Sequence, residues 1–143
     1  MMVRWLVRLV LALAIGSAAL AFAARFLDGP LGPLPGGPLR GGELVTAPVA
    51  DWSFAADEQE VELQLDAQST SRTTWMLVHE GRAYVPAAVG FPPGKSWHRA
   101  ALADGRATLR IAGRRYPVTL TKVEDTALAA AVRAVAEAKY PTR

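Results

Sequence analysis

Sixteen consecutive residues without a charge, Leu9 to Ala24, follow Arg4 and Arg8 and stop at Arg25. Gly16 and Ser17 are the only members of the run that are not apolar. As a helix the run measures roughly 24 Å, a little short of the ~30 Å hydrocarbon core of a bilayer. Trp5, Leu6 and Val7 lengthen it, because the Arg8 side chain can snorkel to the headgroups. Met1 to Phe26 can therefore span a membrane. A cleaved signal peptide shares the pattern, with Ala21-Phe22-Ala23 before Ala24 resembling a cleavage site. On either reading Arg4 and Arg8 keep the amino terminus in the cytoplasm and send the rest outward. The expected arrangement is a single-pass anchor (1–27) in the cytoplasmic membrane with an extracytoplasmic domain.

Asp28 to Pro48 holds five prolines and six glycines in 21 residues. Proline removes amide donors and glycine raises the entropy lost on ordering, so no regular element is expected there. The expectation for 28–48 is a spacer, with Leu31, Leu34 and Leu39 placed to touch the membrane surface or the domain. The remaining residues, 49–143, are enough for one domain with one core. Cysteine is absent, which excludes disulfides, thiolate metal sites and cysteine nucleophiles.

Charge is divided along the domain. Seven acids and no base lie between Arg40 and Arg72, whereas eight bases face only Glu80 and Asp104 from Arg72 to Arg115. Two solvated faces that partly neutralise each other account for this, and a basic pocket for an anion is the sharper alternative. The net charge of +3 and the lack of any helix-turn-helix or finger spacing give no support to nucleic acid as a partner. His79 and His98, the only histidines, have no carboxylate pair at ligand spacing, so no metal site is expected.

Val61, Leu63 and Leu65 alternate with polar residues as a strand with one wet face. Thr73 to His79 is more continuously apolar and predicts a central strand. Glu80-Gly81 turns it into Arg82 to Ala88 as a hairpin. Lys95 to Asp104 predicts a short helix with Trp97 and Ala101 on one side. Ala107, Leu109 and Ile111, a turn at Ala112-Gly113, and Tyr116, Val118 and Leu120 make a second hairpin, with Pro117 at an outward, edge-compatible parity. Asp125 predicts the cap of a last helix running through Lys139. Trp52 and Phe54 are expected to pack against the strands, or to lie as a lid over a pocket. The fold class is mainly β with short helices (α+β), and antiparallel strands with few helices favour a small barrel.

The run Lys95-Ser96-Trp97-His98-Arg99-Ala100-Ala101-Leu102-Ala103-Asp104-Gly105-Arg106-Ala107-Thr108-Leu109-Arg110-Ile111-Ala112-Gly113-Arg114-Arg115-Tyr116 resembles the split-barrel superfamily of flavin-binding proteins. That group includes the pyridoxamine-phosphate oxidases and the deazaflavin-dependent nitroreductases. Leu102, Asp104, Arg106 and Leu109-Arg110-Ile111 match the family's helix-to-strand pattern in sense. Gly105 stands in place of its proline and Ala101 in place of its asparagine, and only Ser71-Arg72-Thr73-Thr74 occupies the approach to the central hairpin. The resemblance covers roughly Val61 to Tyr140. It implies a small antiparallel split β-barrel, and cofactor contacts at Arg72, Thr73, Thr74, Lys95 and Trp97, with FMN or a deazaflavin held at a homodimer interface.

Gly94-Lys95-Ser96 ends like a phosphate loop. Val89 stands where that loop needs glycine, and Pro92 and Pro93 lack the amides that cradle phosphate, which excludes nucleotide hydrolysis. Two roles stay open: a domain that binds a ligand or partner outside the membrane, and a flavin- or deazaflavin-dependent oxidoreductase. Trp97 is a core anchor on the first reading and a stacking platform on the second.

Overall fold

The structure is a computed structural model describing residues 2–87 and 96–141. Helix α1, Met2–Ala24, is roughly 35 Å long at 1.5 Å per residue. Val3–Ala24 has a mean hydropathy of 2.2, and this stretch is long and apolar enough to cross a membrane.

The domain is α+β. Its main sheet has five strands in the order β1-β7-β6-β2-β3: β1 (Glu43–Leu44), β2 (Glu60–Leu65), β3 (Ser71–Trp75), β6 (Arg106–Ile111) and β7 (Arg114–Thr119). Strands β4 (Leu77–His79) and β5 (Arg82–Tyr84) form a separate pair. A 3₁₀ turn (Ser53–Ala55), helix α2 (Trp97–Ala103) and helix α3 (Thr126–Lys139) complete it. Neither sheet closes on itself.

Both hairpins follow from local chemistry. Glu80 and Gly81 take φ of 49° and 72°, and Ala112 and Gly113 take 46° and 77°. Positive φ at both central residues gives the turn whose twist matches antiparallel strands. His79 pairs with Arg82, and Ile111 with Arg114. The period-two pattern puts Val61, Leu63, Leu65, Ala107, Leu109, Ile111 and Tyr116 into one core with Met76, Ala55 and Trp97. Pro117 is exposed and lies beyond the two-residue β1 ladder at Arg114 and Arg115, where β7 is an edge.

Asp125 caps α3, its carboxylate accepting from the amides of Ala127 (2.8 Å) and Leu128 (3.0 Å). Asp125→Ala is expected to destabilise the domain by about 1 kcal/mol, read as a lower urea midpoint at unchanged slope. An unchanged midpoint would show that packing alone holds the α3 start.

The run Thr73 to His79 is not one central strand. It breaks at Met76 into β3, on the edge of the main sheet, and β4, in the other pair. Met76 is fully buried, and its carbonyl accepts from Lys139 Nζ (2.9 Å) and the Tyr140 hydroxyl (3.1 Å). The end of α3 thus captures the carbonyl that would have continued the ladder.

The Gly/Pro segment is not a free spacer either. Its residues lie along the polar outer face of the main sheet and bond to it. Gly36 exchanges backbone hydrogen bonds with Ser71 (3.0 and 3.1 Å). The Ser71 hydroxyl donates to Gly37 O (2.5 Å), and Leu39 N donates to the Gln64 side chain (2.8 Å). Leu39 is buried, and Glu43–Leu44 add to the sheet as β1. A Cβ on Gly36 would overlap the carbonyl of Gly29, so glycine here permits a close backbone approach.

Candidate functional site

A groove of about 880 Å³ opens between α3 on one side and β4-β5, α2 and the end of β7 on the other. Its floor is apolar: Leu77, Val85, Trp97, Ala101 and Leu120. Leu128, Val132 and Ala136, one helical face of α3, form the facing wall. They stand at spacing four along α3, and no residue of the helix is fully buried. Arg82, His98, Lys122 and Arg133 also line the groove, with Glu124 and Asp125. Lys122 lies 3.9 Å from Glu124, which leaves Arg82 and Arg133 as the lining cations without an ion pair among the described residues. An apolar channel with such cations suits a ligand with an apolar body and an anionic group.

His98 lines this groove. Its Nδ1 is buried and has no hydrogen-bond partner among the described residues. Buried polar atoms are normally paired, and this one is enclosed rather than open to the groove. His79 closes β4 beside the turn and is not part of the groove lining.

The positions named in the sequence fall in different places. Arg72 pairs with Leu63 and Thr74 with Val61, so both share the inner face of the sheet. Thr73 faces outward, where its hydroxyl donates to Gly32 O (2.8 Å). Lys95, with the 92–94 loop, lies outside the described residues. Trp97 is only 7 % exposed and is the one buried residue of α2.

Arg72 and Trp97 do meet. The Arg72 guanidinium carbon lies 5.6 Å from the Trp97 ring centroid, within cation–π range. Its Nη2 donates to Gln68 Oε1 (2.5 Å), its Nε has no partner among the described residues, and it makes no ion pair among them. Burial pulls its pKa below the usual arginine value. Trp97 belongs to the core cluster and also lines the groove. Thr73 lies on the opposite face of the sheet from Arg72 and Thr74.

Of the two aromatics before β2, Trp52 packs against the core and Phe54 stays 56 % exposed. Trp52 lies 5.5 Å from Tyr116 and 5.8 Å from Phe54, centroid to centroid, away from the groove lining.

A family model matches residues 53–143, which include every element from the 3₁₀ turn to α3. The chain belongs to the DUF2255 family, described as an uncharacterized protein conserved in bacteria. The DUF2255 region holds the whole groove, together with Arg72 and Trp97. Helix α1, the clasping segment 25–42 and β1 precede it. No curated protein and no solved structure matches the chain.

Two features were not singled out in the sequence. Arg82, Lys122 and Arg133 lie far apart in the chain, and no local pattern marks them as neighbours. Arg110, which ties the Gly/Pro segment to the sheet, did leave a trace: it shares the outward parity of its strand, as Glu62 does of its own, and the two are register partners.

Proposed function

We propose that this chain is a single-pass membrane protein whose DUF2255 domain binds a small ligand outside the cytoplasmic membrane. The ligand has an apolar body and an anionic group, and it lies in the groove beside α3. The groove itself carries this reading, with its apolar floor and wall and the Arg82 and Arg133 side chains on its lining. Arg4 and Arg8 before the apolar helix support a cytoplasmic amino terminus. The passage of the chain from one sheet to the other at Met76 supports an open form of the split-barrel plan.

A second reading is a flavin- or deazaflavin-dependent oxidoreductase. One observation favours it: Arg72 is a half-buried cation with a free Nε and no carboxylate partner among the described residues. That group suits a cofactor phosphate, and the rest of the cradle would have to come from a second copy. Bound flavin would supply the hydride or electron chemistry, and the protein would position it.

The test uses the full chain in lipid nanodiscs, with Ala136→Trp as the blocked-groove control. The probes are an anilinonaphthalene sulfonate dye, FMN and a deazaflavin. The expected result is saturable dye binding that falls about tenfold or more in Ala136→Trp, a loss of at least ~1.4 kcal/mol. Stoichiometric retention of flavin that Arg72→Ala abolishes would replace the first reading with the second. Dye binding that is indifferent to the Ala136→Trp substitution, with no flavin retained, would overturn both.

A further inference from the structure

We infer that the turn at Leu31 to Leu34 is a membrane-seated knuckle, which the Gly/Pro segment clamps to the sheet so that the domain rests on the lipid surface. The occupant is the bilayer of the membrane that α1 enters. The proposal rests on α1 being a retained span and is independent of what the groove binds.

The knuckle is apolar and held in place. Phe26, Leu27 and Leu31 are 74 %, 47 % and 44 % exposed, and Pro33 is exposed beside them. Leu31 and Leu34 close the turn with two backbone hydrogen bonds of 3.0 and 3.1 Å. Thr73 holds Gly32 from the sheet, and Gly36 and Ser71 bond two residues beyond Leu34. A loop free to move could turn its leucines inward. This one is fixed with Leu31 outward, which leaves apolar surface in water at roughly 25 cal/mol per Å² unless something apolar covers it.

Charge decides what covers it. From Phe26 to Leu39 the only charged residue is Asp28. Its carboxylate accepts from the amides of Arg40 (2.7 Å) and Gly41 (2.9 Å) and from Arg110 Nη1 (3.0 Å). The remaining surface of the segment therefore presents no free anion to repel acidic lipid. Arg25 and Arg40, both exposed, flank it with the charge that anionic headgroups attract.

Continuity with α1 selects lipid over a protein partner. Arg25, Phe26 and Leu27 donate back into the last turn of the helix, to the carbonyls of Phe22, Ala23 and Ala24. Phe26 packs edge-on against Phe22, 5.4 Å between centroids, as an aromatic at the membrane interface would. The span thus continues into the knuckle through Phe26 and Leu27, with the exposed Arg25 at the junction.

The absence of cysteine makes the experiment direct. Spin labels are placed singly at Leu31→Cys, Pro33→Cys and, as a domain control, Leu102→Cys. The full chain is reconstituted into phosphatidylcholine vesicles with a minority of phosphatidylglycerol. Collision with oxygen and with a water-soluble nickel chelate is then compared. The labels at 31 and 33 are expected to favour oxygen several-fold relative to the label at 102. Chelate access at 31 and 33 equal to that at 102 would overturn the knuckle. Failure of the chain to enter the vesicle fraction would overturn it as well, and the groove would still stand on its dye-binding test.

Discussion

Trp97→Ala is expected to destabilise the domain by about 3–4 kcal/mol, the range for removing a large aromatic from a packed core. For a domain of this size that lowers Tm by more than roughly 10 °C. Trp97 is the single buried residue of α2 and joins the cluster built from Val61, Leu63, Leu65 and Leu109. Its loss removes the anchor of α2 and one side of the groove. It also uncovers the half-buried Arg72 guanidinium, which rests over the ring. Trp97→Phe should recover most of the stability, because an aromatic plate survives under the cation. Urea unfolding of the full chain, followed by circular dichroism, measures both variants. Full stability in Trp97→Ala together with lost ligand binding would assign the ring to ligand contact.

Arg110→Ala is expected to cost about 2–3 kcal/mol and to lift the Gly/Pro segment off the sheet. The Arg110 side chain is 12 % exposed. Its Nε donates to Glu62, Nη1 to Asp28 Oδ1 (3.0 Å) and Nη2 to the Asp28 carbonyl (3.0 Å). Removing it leaves two carboxylates close together without their cation, the costly way to break a partly buried pair. The figure is set below that for fully buried pairs because the Asp28 side chain is almost half exposed. Amide exchange at Arg40 and Gly41, which Asp28 accepts from, reports the release directly. Unchanged protection there would show that the Gly36–Ser71 bridge alone holds the segment.

Acid provides a second readout of the same contact. The Arg40 amide, then those of Gly41 and the Arg110 side chain, hold the Asp28 carboxyl below its ordinary value of 3.8, against opposing desolvation. A carboxyl whose folded pKa is depressed adds stability above its unfolded pKa and loses it as pH falls through the folded one. Protection of Arg40 and Gly41 should thus persist above about pH 4 and fade in stronger acid. In Arg110→Ala the fading should begin at higher pH. Arg110 itself stays charged throughout, its pKa raised first by the bond to Glu62.

Much of the fold was legible because its causes are local. The alternation of Val61, Leu63 and Leu65, the positive-φ turns at Glu80-Gly81 and Ala112-Gly113, and the Asp125 cap each act within a few residues. The long uncharged run before Arg25 is likewise a property of composition alone, and it yields a helix of the expected length. The division of charge also carried through, with Glu62 against Arg110 and Glu43 against Arg114.

Other features depend on groups that no sequence pattern displays. The Gly/Pro segment reads as a spacer because its bonds to the sheet run through backbone amides and carbonyls, which every residue has. Whether they meet Ser71 and Gln64 or water is decided only when the sheet exists to receive them. The break at Met76 arises because Lys139 and Tyr140, more than sixty residues later, take its carbonyl. The groove has the same origin. The apolar stripe of α3 is plain in the residues, but how much of it β4 and α2 cover is set by packing. Leu128, Val132 and Ala136 therefore wait half-covered beside Arg133 and His98, a juxtaposition that only the tertiary structure creates.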